Sequence, residues 1–76
     1  MSTRDIILTA GVELLTDRGV DAVTVTDVAR RSGYSRQTIH ATFGDAAGLR
    51  AAVCDHAREV GNERANTWLN LAGWPA

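Results

Sequence analysis

Three adjacent residues, Arg36-Gln37-Thr38, carry side chains suited to the edges of DNA bases. Arginine can bond guanine through two parallel N–H groups, and glutamine can grip adenine in the same way. Threonine can bond a base edge or touch a thymine methyl. Cys54 and His56 are of types used in metal sites and in nucleophilic catalysis. Their spacing on one helix turns the side chains well apart, and such sites need three or four convergent groups. The chain has a single cysteine, so neither a disulfide nor a cysteine-rich metal site can be completed. Cys54 is expected as a small, semi-buried packing residue, and His56 as a helix residue near the core edge. No catalytic residue, metal or cofactor is expected.

The elements that must position these residues form one small domain. At 76 residues the chain is near the lower limit for a single unstapled apolar core. Its N-terminus lacks the basic stretch and apolar run of a secretory signal, and no apolar segment is long enough to cross a bilayer. The expectation is a cytoplasmic protein with no membrane partner.

Net charge is −1, which by itself argues against nucleic acid, because phosphate neutralisation supplies much of DNA affinity. The distribution qualifies that sum. Arg30, Arg31 and Arg36 occupy a middle stretch in which Asp27 is the nearby acid, whereas Asp5, Glu13, Asp17 and Asp21 precede it and Asp55, Glu59 and Glu63 follow. A positive middle between acidic flanks is compatible with docking one face on DNA. Contact of Arg30 or Arg31 with phosphate is favoured over a merely solvated face.

Helical periodicity dominates. Ile7, Ala10, Gly11 and Leu14 recur at helical spacing, widened by Ile6 and Leu15, and predict a first helix over 3–18. Thr3 is expected to cap it, with Gly19 as a left-handed stop. Gly11 costs roughly 1 kcal/mol relative to alanine inside a helix, which suggests close approach of another backbone. Val20 to Val25 reads as an extended connection whose valines plug the core, since no partner strand is present. Thr24 with Asp27 resembles a capping box for a second helix, Thr26 being the alternative cap. That helix carries Val28 and Ala29 inward, exposes Arg30 and Arg31, and ends at Ser32-Gly33.

Gly33-Tyr34-Ser35 is a tight connection in which Tyr34 packs the turn and Ser35 caps the next helix. The third helix runs from Arg36 to Phe43, with Ile39 and Phe43 inward. A fourth starts at Asp45, with Leu49, Val53, His56 or Ala57, and Val60 in one stripe, and Gly61 ends or weakens it. Ala65, Trp68, Leu69 and Ala72 again show helical spacing, stopped by Gly73-Trp74-Pro75. These tryptophans imply a missing domain, a partner chain, or folding back on the first helices.

The fold is therefore expected to be all-α. Its core is a three-helix helix-turn-helix bundle of homeodomain-like form, followed by a fourth helix and a short C-terminal helical tail. Residues 1–61 would form the helix-turn-helix domain and 62–76 the truncated start of a C-terminal helical region. Two short helices joined by a glycine-containing turn form such a motif. Its second helix enters the major groove with its N-terminal residues at the bases, while the first crosses the backbone.

The stretch from Ile7 to Leu49 resembles the DNA-binding domain of TetR-family transcriptional regulators. The residues that carry the resemblance are Ile7, Ala10, Leu14, Gly19, Thr24-Val25, Val28-Ala29, Gly33, Ser35, Thr38, Phe43 and Leu49. The run from Thr24 to Phe43 is its most specific part. The resemblance implies a repressor that binds palindromic operators in double-stranded DNA as a dimer and releases them when a small molecule binds. It assigns base contacts to Arg36, Gln37 and Thr38, and phosphate contacts to Thr24, His40 and Thr42. With Arg31 from the charge pattern, these seven residues are the expected DNA contacts. For His40, packing beneath the first helix stands as an equal reading.

Three positions depart from the family pattern. His40 replaces the usual tyrosine, Thr42 stands where an aromatic or histidine is common, and Ala46 replaces a phosphate-touching lysine. Each change removes reach or charge, and Arg36 and Arg50 are the residues placed to compensate. Family members also carry a long C-terminal domain with the effector pocket and dimer interface. The chain is expected to be a truncated regulator or an isolated domain, forming a homodimer only if a C-terminal domain is supplied. Its place would be the nucleoid. A rival reading is a protein-interaction module with a vestigial motif, docking a partner through the Trp68–Trp74 tail.

Overall fold

The structure, a computed structural model, describes residues 1–74. Five helices follow one another: α1 (Thr3–Arg18), α2 (Val25–Ser32), α3 (Arg36–Phe43), α4 (Ala46–Val60) and α5 (Glu63–Leu71), with a single 3₁₀ turn at Val20–Ala22 between α1 and α2. The chain is all-helical over the described residues, as the periodicity requires. Pro75, expected to help stop the last helix, lies outside them.

Each helix starts where a short polar side chain can accept from a backbone N–H that has no partner within the helix. Thr24 caps α2, Ser35 caps α3, Asp45 caps α4 and Asn62 caps α5. At α1 the cap is Ser2 rather than Thr3, because Ser2 holds extended backbone and its hydroxyl accepts from Asp5 N–H at 3.1 Å. Thr3 is already the first helical residue. Thr24 prevails over Thr26, and its hydroxyl also donates to the Asp27 carboxylate at 3.2 Å. The short aspartate thus closes the box on the hydroxyl.

The core is built by α1, which packs on α2, α4 and α5, while α3 packs on α2 and α4. Ile7, Leu15, Val23, Val28, Ile39, Leu49, Val53 and Leu69 are buried. Burying one such side chain fully stabilises the fold by about 1.5–3 kcal/mol. Leu8 is buried too, whereas Ile6 is half-buried, so the inner face of α1 is rotated slightly from its expected centre. Ala57, not His56, enters the core, and Val60 is exposed at the end of α4. Cys54 is fully rather than partly buried.

Gly11 marks a close approach, but the intruder is a side chain. A Cβ at Gly11 would collide with Val53 Cγ2 of α4 and stand 3.1 Å from Cγ1. The missing methyl lets α1 and α4 come together over Val53. The connection after α1 also differs from the expected extended run. Val20–Ala22 forms one 3₁₀ turn, closed by Val23 N–H to Val20 O at 3.1 Å, and Val23 alone is fully buried there. Gly19 has the positive φ of 94°, yet its ψ of −179° lies outside the left-handed helical region expected of a stop.

The last helix folds back on the first. Ala65 and Leu69 are buried, and α5 packs on both α1 and α4. Arg58 of α4 donates through Nη1 to Asn66 Oδ1 and Asn70 Oδ1, each at 3.1 Å, and through Nη2 to the Trp74 carbonyl at 3.0 Å. One guanidinium therefore ties α4 to two successive turns of α5 and to the chain beyond. Trp74 is half-buried against the core, whereas Trp68 lies over Gly19 and stays partly exposed.

Candidate nucleic-acid interface

The pair α2–α3 is joined by Gly33, Tyr34 and Ser35. Gly33 adopts φ 82° and ψ 1°, a left-handed conformation open to glycine at little cost, and its N–H closes α2 on Ala29 O. Tyr34 N–H bonds Ser32 Oγ at 3.2 Å, and its ring packs on the core. Ser35 then caps α3 through Thr38 N–H at 3.1 Å. On α3, Ile39 is buried and Phe43 half-buried, which fixes the rotation of the helix about its axis.

Arg36 and Gln37 are exposed on the first turn, with no side-chain hydrogen bond or ion pair among the described residues. Thr38 is half-exposed, and its hydroxyl lies 3.0 Å from Ser35 Oγ, one of the two donating to the other. His40 and Thr42 are exposed further along α3. His40 is not packed beneath α1; its Nδ1 lies 2.8 Å from Gly44 O. Thr42 donates to Thr38 O at 2.9 Å, so its hydroxyl is spent within the helix. Thr24 sits at the head of α2 with its hydroxyl shared with Asp27. Thus α3 carries five of the seven expected contact residues, while Thr24 and Arg31 stand at opposite ends of α2.

The arginines of the middle stretch are largely matched by acids. Arg18 and Arg30 both reach Asp27, at 3.3 and 3.7 Å, and Arg31 reaches Asp17 of α1 at 3.4 Å. Exposed pairs of this kind are worth about 0–1 kcal/mol, so a phosphate can recruit Arg31 at small cost. Arg36 stands outside these pairs.

One cation near α3 escaped sequence reasoning. Arg4, in the first turn of α1, places its guanidinium carbon 5.1 Å from the centre of the Phe43 ring. Thr3 beside it donates to the Tyr34 hydroxyl at 3.5 Å. The start of α1 is thereby held against the turn and the end of α3. No local signal marks this contact, because Arg4 and Phe43 lie far apart in the chain and neither type demands the other.

Of the remaining candidate chemistry, Cys54 is shut away in the core and His56 is half-buried. Burial pushes the Cys54 thiol up to about 11, the neighbouring Asp55 adding to the rise against smaller opposing effects of Arg50 and Arg58. A buried, protonated thiol is neither a nucleophile nor a metal ligand at neutral pH. Among the described residues no three His, Cys, Asp or Glu side chains converge as a metal site, and no helix is long and apolar enough to cross a membrane.

A capped helix pair with a glycine turn and an outward-facing second helix is a helix-turn-helix, the class of protein that presents one helix to the DNA major groove. The sequence model of the family described as bacterial regulatory proteins, tetR family, matches residues 7–53. The chain belongs to this family and carries its N-terminal DNA-binding domain. It is 50% identical over 46 residues to the HTH-type transcriptional regulator AlkX of Mycobacterium tuberculosis strain H37Rv, covering 60% of this chain and 22% of that protein. It is 37% identical over 59 residues to the uncharacterized HTH-type transcriptional regulator Rv2250c of the same strain, covering 71% of this chain and 31% of that one. The chain thus spans between a fifth and a third of the length of the curated relatives it matches. No solved structure matches it. The rival reading of a vestigial motif with a docking tail is not favoured, since the relatives are named as regulators.

Proposed function

We propose that this chain binds double-stranded DNA sequence-specifically, as the DNA-binding module of a TetR-type repressor acting at palindromic operators in the nucleoid. The observation that carries the reading is the state of Arg36 and Gln37. They are exposed and unpartnered on the first turn of a helix that Ile39 and Phe43 anchor to the core further along. Unspent donors on a rigid element suit base readout.

In this reading Arg36, Gln37 and Thr38 meet base edges, while Thr24, Arg31, His40 and Thr42 meet phosphates. The two phosphate-contacting threonines exchange an internal acceptor for a phosphate oxygen, and Arg31 exchanges Asp17. Residues 1–61 act as the binding unit and 62–76 as the start of a C-terminal helical region. Pairing of two such units on a palindrome needs a further domain to join them. The chain itself performs no catalysis.

The test is a fluorescence titration of a palindromic duplex, selected from a random pool, across a salt series. Affinity should fall linearly on a log–log plot as salt rises. Absence of salt-dependent binding at low ionic strength would sink the proposal.

A further inference from the structure

His40 is exposed on α3, and its Nδ1 lies 2.8 Å from the carbonyl oxygen of Gly44. A carbonyl can only accept, so Nδ1 carries the hydrogen. In the neutral ring this leaves Nε2 as a bare lone pair, which repels a phosphate oxygen. Only the imidazolium has a second N–H to give, and that bond is charge-assisted. We propose that His40 is a proton-linked phosphate contact, so that binding of duplex DNA takes up a proton at Nε2. This rests on the DNA-binding reading above and adds its dependence on pH.

The surroundings leave that proton to the phosphate. On α3 itself, Arg36 stands one turn before His40, a like charge to the imidazolium. At the head of α4, Asp45 spends Oδ1 on Gly48 N–H at 2.7 Å, and Arg50 follows on the same helix. On α2, Asp27 is taken by Arg18 and Arg30, and Arg31 by Asp17. From α1, Arg4 lies over Phe43, while the Tyr34 hydroxyl in the turn accepts from Thr3. Among the described residues no carboxylate bonds His40, so the anion that completes the imidazolium comes with the DNA. The tyrosine usual at this position in the family needs no such proton, because its hydroxyl donates while neutral.

The experiment titrates a fluorescein-labelled random-sequence duplex with the full chain at low salt, in steps from about pH 5 to pH 8, where histidine ordinarily titrates. Affinity should fall as pH rises, by up to about tenfold per unit for each chain bound, the limit for one linked proton. His40→Gln should flatten the profile. His40→Tyr should flatten it at higher affinity, and His56→Gln should leave the slope in place. Independently of DNA, nitrogen-correlated NMR of the free chain should find the hydrogen of the neutral His40 ring on Nδ1. A flat wild-type profile, a slope that survives His40→Gln, or a hydrogen on Nε2 overturns the proposal. No binding at any pH removes the DNA-binding reading itself, whereas binding that ignores pH removes the proton linkage alone.

Discussion

The indole N–H of Trp68 donates to the carbonyl of Thr16 at 3.1 Å. Thr16 lies in the last turn of α1, where carbonyls have no partner within the helix. A residue from α5 therefore caps the helix that organises the core. Trp68→Phe should keep much of the packing and lose this bond, at a cost of about 1 kcal/mol. Trp68→Ala should cost more, about 2–3 kcal/mol, because the ring over Gly19 goes as well. Urea denaturation of both variants measures the difference. An unchanged stability in Trp68→Phe would show that the bond contributes nothing.

Gly11 offers a sharper test of packing. Gly11→Ala gains roughly 1 kcal/mol of helix propensity but drives a methyl into Val53, and overpacking of this kind costs about 1–3 kcal/mol. The single variant should be less stable than wild type. Combining it with Val53→Ala should recover part of the loss, because the two sites share one volume. Additive losses in thermal unfolding would break the link between them.

Cys54 predicts behaviour at high pH. Its thiol is raised from an ordinary 9.0 to about 11 by burial. Between those values the folded chain holds a proton that the unfolded chain has released. Stability from this group is full below pH 9 and declines as pH rises toward 11. Cys54→Ala should remove that part of the decline. Native Cys54 should also react with iodoacetamide only through opening of the core; rapid labelling at neutral pH would contradict its burial.

Arg36 and Arg31 should fail differently. Arg36→Ala should cost about 1–3 kcal/mol on the preferred site and relax the choice of base. Arg31→Ala should weaken all sequences alike and lower the salt slope by about 1. A titration series on matched and mismatched duplexes separates the two, and altered preference in the Arg31 variant would reverse the assignment.

What could be read in advance was local. Thr24, Ser35 and Asp45 are short polar residues ahead of apolar periodicity, and a cap needs nothing more distant than its own first turn. The start of α3 followed from Ser35 for the same reason. Ser2 and Thr3 are both competent caps, so only the backbone conformation separates them. The contacts that orient the site were not legible: Arg4 with Phe43, Gly11 with Val53 and Trp68 with Thr16 each join distant positions through ordinary residue types. Gly11 announced that something came close, though not that it was a valine side chain. His40 and Thr42 showed hydroxyl or ring chemistry in the sequence, but their internal hydrogen bonds depend on rotamer.

The Ser35–Thr38 pair bears on which chemical marks α3 can sense. In the proposed reading, with its hydroxyl bonded to Ser35 Oγ, Thr38 sets mainly its methyl group against a base. A methyl reader responds to the 5-methyl group of thymine and equally to that of 5-methylcytosine, which presents the same apolar surface in the major groove. Duplexes carrying thymine, cytosine or 5-methylcytosine opposite Thr38 should rank the methylated bases together and plain cytosine below them. The ranking should collapse in Thr38→Ser, which keeps the cap and discards the methyl. A hydrogen bond made for folding would then make the protein sensitive to an epigenetic modification of its target.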